Sequence, residues 1–279
     1  MSIGDESDVI EDVGMFEAAV HAKHVDLELP ALDKIVVALD ASNQDETARA
    51  LSAAIGKRTS AQLHEHSGAS EAAQVLEVCA AQQAQLLVLP VPFGRDITVL
   101  KDESLGDVVD MLLVEAKIPV LCVREVMGAE AVTAALTNVI LPVNVHDEAC
   151  ASAAAWAYRL LHHEGDLEVL AVPDRDVLEE ARKLLGNAID PLALQKEALD
   201  RAVTHEIAGL IAAVQRRGAE EDVHVHIEIK MGRPVQVVLE QANPQPRLLV
   251  IGTPREHGSP SFRRAIDILL GARGPVLIV

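Results

Sequence analysis

Two passages of this chain close in the same way, and that repetition limits what the chain can fold into. The last passage reads RLLVIGTPREHGSPSFRRAIDILLGARGPVLIV. It holds an apolar run at Leu248–Ile251, a stop at Gly252, and a polar loop with Pro254, Gly258 and Pro260. An apolar helical stretch over 262–270 follows, then Gly271, Gly274 and Pro275, then a final apolar run at 276–279. The earlier passage has an apolar run at 86–89, Pro90, a loop with Gly94, a helical stretch over about 105–115, and the run 120–123 after Pro119. PVLCV and PVLIV thus end two copies of one unit. Short apolar runs bounded by Gly and Pro suit strands covered on both faces, as in a parallel sheet. Strand, loop, helix and strand in succession form a βαβ unit, whose first loop opens at a helix N-terminus. The fold class is therefore α/β.

The remaining chain supplies the other parts of each copy. Residues 35–39 read as a strand closed by Asp40. Ser42 is placed as the N-cap of a helix through Ala48, Leu51 and Ile55. A short strand over 63–66 precedes Gly68, and Ser70 opens a helix through Val75, Leu76 and Val78. In the second copy, 139–143 reads as a strand ending at Asn144, the counterpart of Asp40. A helix over 149–161 carries Ala153, Ala154 and Ala155 beside Trp156, a composition for close packing on a sheet. A strand over 167–172 and a helical stretch over 177–216 follow, the latter divided near 187–191 by its proline. An alternating strand over 223–230 leads to Gly232 and a helix opening at Pro234.

The copies differ in length. The interval from Asp40 to Gly68 is shorter than that from Asn144 to Gly232, so the first copy lacks room for one strand and one helix. Helical spacing over 9–20 and the alternation Val25-Asp26-Leu27-Glu28-Leu29 are expected to supply them, the second as an edge strand. The expected division is an N-terminal extension at 1–31, a first domain at 32–124, a linker with a short helix at 125–137, and a second domain at 138–279.

Charge limits the partners. With 24 basic and 43 acidic residues the net charge is −19, which argues against nucleic acid and anionic membrane, both of which require a basic face. No apolar run approaches the roughly 20 residues of a membrane span. The acidic start MSIGDESD has no apolar core behind it, and Cys79, Cys122 and Cys150 show no CxxC spacing. These features place the chain in a reducing cytoplasm.

The openings IVVALDAS and VILPVNVH and the closings LLVLPVPFGR, SLGDVVDMLL, PVLCV, LLVIGTPREHG and PVLIV resemble the universal stress protein family in its tandem two-domain form, over 33–123 and 138–279. The resemblance implies two flavodoxin-like halves, each with a mostly parallel sheet, packed as a pseudo-dimer through the closing strands 120–123 and 276–279. Many family members bind ATP through Gly-x-x-Gly, a spacer, then Gly followed by Ser or Thr. The first copy departs from this, with Pro90 at the first glycine and Asp107 at the serine. In the second, Gly252 fits the first glycine, Arg255 replaces the second, Gly258 lies close by, and Ser259 or Ser261 stands in for the hydroxyl.

The resemblance implies a cytoplasmic stress-response regulator that acts through protein partners or self-association, with nucleotide binding weak or lost. The alternative is a switch that binds ATP or another adenine nucleotide in its C-terminal half only. Its site would hold Asn144 in place of the family's aspartate, Val172 near the base, and Gly252, Gly258, Ser259 and Ser261 at the phosphates. Arg255 and His257 would add positive charge. A slow ATP hydrolase ranks last, because no general base for water is placed. There is no GxSxG or HExxH motif, and nothing marks an enzyme. His64 with His66, and His224 with His226, read as exposed strand edges rather than a zinc site, since local spacing places no third ligand.

Overall fold

A computed structural model describes residues 25–68, 71–94, 105–143, 149–172, 193–256 and 258–279, with the side chains of 193–206 left aside. The expected helix over 9–20 lies outside these residues. In chain order the elements are β1 (Lys34–Leu39), α1 (Asp45–Thr59), β2 (Gln62–Ser67), α2 (Ala72–Gln82), β3 (Leu86–Pro90), α3 (Asp107–Glu115) and β4 (Val120–Val123). There follow α4 (Ala129–Thr137), β5 (Asn138–Val143), α5 (Ala149–Leu160), β6 (Asp166–Ala171), α6 (Ala193–Glu221) and β7 (His224–Ile229). The chain ends with α7 (Pro234–Ala242), β8 (Leu248–Ile251), α8 (Pro260–Gly271) and β9 (Val276–Ile278).

The nine strands among the described residues form one sheet, in the order β2-β1-β3-β4-β9-β8-β5-β6-β7. Every neighbouring pair is parallel except β4 and β9, which run antiparallel with Val120 opposite Ile278 and Cys122 opposite Val276. The two closing strands therefore fuse the halves into a single sheet. Alternation along each strand sends side chains to opposite faces. Ile35, Val37, Leu121, Val139 and Leu277 meet a core under α1, α4, α5 and α6. Val36, Val120, Ile140 and Ile278 meet a second core under α2, α3, α7 and α8. The central strands β3, β4, β8 and β9 are covered on both faces, which is why they read as unbroken apolar runs.

Local chemistry explains most element ends. Asp45 and Glu46 open α1 and Lys57 and Arg58 close it, each sign favoured by the helix dipole at that end. Ser42 is not the N-cap expected of it. Gln44 holds that position, and the Asp45 carboxylate accepts the N–H groups of Asp40 at 3.3 Å and Ala41 at 3.0 Å. Glu71, not Ser70, precedes α2. Pro234 and Pro260 open α7 and α8, where a missing N–H has no cost.

Among the described residues, no element of the first half corresponds to α6 and β7. The expectation that 25–29 forms the missing edge strand is not met. These residues make no strand. Leu27 and Leu32 are buried in the core beside Ile35 and Leu51, so burial of two leucines decided this segment rather than its alternation.

Candidate functional site

In an open parallel sheet, ligands meet the carboxyl ends of the strands where the winding reverses. Here that happens twice, between β1 and β3 and between β5 and β8. Because β4 and β9 are antiparallel, the two crevices open at opposite ends of the sheet.

The first crevice is bridged by Asp40. Its carboxylate accepts the Ser42 N–H at 3.1 Å and the Gly94 N–H at 2.5 Å, which joins the loop after β1 to the loop after β3. Gly94 has φ +71, a left-handed conformation glycine adopts without strain. Phe93 is fully buried beside it. Asp45 lies behind, its carboxyl raised above the usual range first by burial and then by repulsion from Asp40, against the backbone bonds it accepts. The Gln44 amide donates to the Arg124 carbonyl at 3.1 Å.

At the second crevice, Asn144 and His257 lie outside the described residues. Val172 follows β6 and packs, half-buried, against the core under α7 and α8. Gly252 follows β8, and a Cβ there would strike the carbonyl group of Ala149 and meet the Ala153 methyl. The alanine-rich α5 thus comes down onto Gly252, which accounts for a glycine here without any ligand. Thr253 is buried and donates its N–H to the Val279 carbonyl at 3.4 Å.

Arg255 does not face the crevice as an anion contact would. Its guanidinium donates to the carbonyls of Ala116, Ile118 (2.9 Å) and Ile278 (2.7 Å). Burial lowers its pKa from the ordinary arginine value. Ser259 is the N-cap of α8, its hydroxyl accepting the Phe262 N–H at 3.2 Å, and its own N–H donates to the Glu256 carbonyl at 3.0 Å. Ser261 sits half-buried in the first turn of α8. Gly258 has φ +86 with open space where a Cβ would point. Of the expected set, Gly258, Ser259 and Ser261 lie at the start of α8, Gly252 lies against α5, and Arg255 turns toward the first half. Sequence reasoning did not single out the carbonyl acceptors of Arg255, because their only signal is tertiary.

The model of the universal stress protein family matches residues 136–279. That is more than half of the chain. The chain belongs to the universal stress protein family. A universal stress protein from Archaeoglobus fulgidus DSM 4304 shares its fold, with TM-score 0.54 and 14% identity over 97% of this chain and 92% of that one. A putative universal stress protein from Pseudomonas aeruginosa UCBPP-PA14 aligns over 100% of this chain and 90% of that one, with TM-score 0.48 and 15% identity. No curated protein matches the sequence. The matched stretch holds β5 to β9, the half that contains Gly252. The half with Pro90 and Asp107 lies outside it. Among the described residues of this universal stress protein, no helix is long and apolar enough to cross a membrane.

Proposed function

We propose that this universal stress protein is a cytoplasmic stress-response regulator that acts through protein contacts, with nucleotide binding weakened or lost. The observation that supports this most is Arg255. The one arginine in the loop after β8 has its guanidinium on three backbone carbonyls, two of them in the first half. A phosphate at this loop would have to do without it. The first crevice supports the same reading, since both oxygens of Asp40 hold backbone N–H groups. The net charge of −19 fits a protein partner better than nucleic acid. The proposal takes 32–124 and 138–279 as the two domains.

One observation favours the alternative, a nucleotide switch in the second half. Gly258 combines φ +86 with open space beside the N-terminus of α8, a place where a phosphate can approach backbone N–H groups. Mass spectrometry of the purified protein, native and then denatured, separates the two readings. A clean apo protein that also gives no heat with added ATP supports the interaction reading. Co-purified ATP or ADP, lost on Gly258→Val, overturns it in favour of the switch.

A further inference from the structure

Among the described residues, β2 is an edge of the sheet. Its outer backbone side has no strand partner among the described residues, whereas β6, its counterpart in the second half, is covered by β7. Unpaired edges of this kind are templates for another strand. β2 reads QLHEHS, and all of it is exposed or half-exposed. His64 and His66 lie two residues apart and so project from one face, opposite Val36 and Ala38 of β1. Glu65 projects from the other face, where Arg49 holds it at 3.0 Å.

We propose that β2 pairs with β2 of a second copy, and that His64 and His66 of the two copies together hold a divalent cation of the zinc class. Two imidazoles at this spacing are half of a zinc site, which takes four ligands or three and a water. Among the described residues, one chain assembles no group of three His, Cys, Asp or Glu. The three cysteines are buried and do not complete it. A second β2 does. Two copies meeting edge to edge, antiparallel, are related by a twofold axis perpendicular to the sheet, and that axis keeps every side chain on its own face. All four histidines then gather on one face in every such register. With Glu65 opposite its own copy, His64 stands directly across from His66 of the partner subunit, about 5 Å between Cβ atoms. Bonds of about 2 Å from each ring nitrogen span that gap through one metal ion. The two Glu65 carboxylates meet on the other face, each already balanced by Arg49.

The experiment is light scattering and sedimentation of the full-length chain, stripped with EDTA and then titrated with zinc alone. The expected result is a doubling of mass that saturates at one zinc per two chains and reverses with EDTA. His64→Ala/His66→Ala should abolish the zinc-driven doubling while its circular dichroism and melting stay those of the parent. His224→Ala/His226→Ala, on the opposite edge, should leave it in place. Zinc bound one per chain without a change of mass would overturn the proposal and point to histidines of the same chain, such as His21 or His24. No zinc binding, or doubling that survives the His64/His66 substitutions, would also overturn it.

Discussion

Arg255, in the loop after β8, donates to the carbonyls of Ala116 and Ile118, which lie between α3 and β4 in the other half of the chain. A third bond reaches Ile278 on β9. The guanidinium therefore sits across the antiparallel seam and ties the loop of one half to the turn of the other. Arg255→Ala leaves the carbonyls without their charged donor, and a loss on the order of 3 kcal/mol is expected in urea unfolding. Arg255→Lys should recover only part of it, because an ammonium cannot fork to three acceptors as a guanidinium does.

Gly252 and Gly258 should behave differently. Gly252→Ala forces the start of α5 away from β8, with an expected cost of about 1–3 kcal/mol in the ligand-free protein. Gly258→Ala meets nothing in space and is opposed only by its φ of +86, at about 1–2 kcal/mol. Thermal melts of the two variants without nucleotide test this order. A Gly252 variant as stable as the parent would mean that α5 does not press on that loop.

The pair of partly buried Arg247 and buried Glu168 offers a double-mutant cycle. Nη1 lies 2.6 Å from Oε2, and Oε1 of Glu168 has no hydrogen-bond partner among the described residues. Glu168→Ala strands the arginine and should cost about 3–5 kcal/mol. Glu168→Leu with Arg247→Met removes both charges and should recover most of that loss. Chemical denaturation of the single and double variants measures the coupling directly.

His162 sets a pH dependence. Burial first, and then the neighbouring Arg58 and His163, lower its pKa from the ordinary 6.5. The folded state therefore prefers the neutral ring. The stabilisation this gives is complete above 6.5 and is lost as pH falls through the lower folded value. His162→Gln should flatten part of the decline in stability below pH 6.5. An unchanged decline in denaturation curves taken across that range would show that other groups control it.

Much of the fold was legible because burial on both faces writes itself into a strand as an unbroken apolar run. Leu248–Ile251 and 120–123 emerge at the places their sequences gave them, and α8 differs from its expected span only at the ends. The candidate site was legible only as a set of residue types. The sequence could not say that Gly252 yields to Ala149 or that Ser259 caps its own helix.

What the sequence determined by itself is therefore periodicity: which runs are strands and which are helices. The tertiary structure decided the rest, because it turns on who meets whom across long separations. Alternation in 25–29 satisfies a strand, yet Leu27 is worth more inside the core than on an edge with no second strand to pair it. A cation in a loop suggests an anion, yet Arg255 faces carbonyls 137 residues away in the chain. A local pattern fixes a residue's preferences, and only the packed sheet supplies the partner that satisfies them.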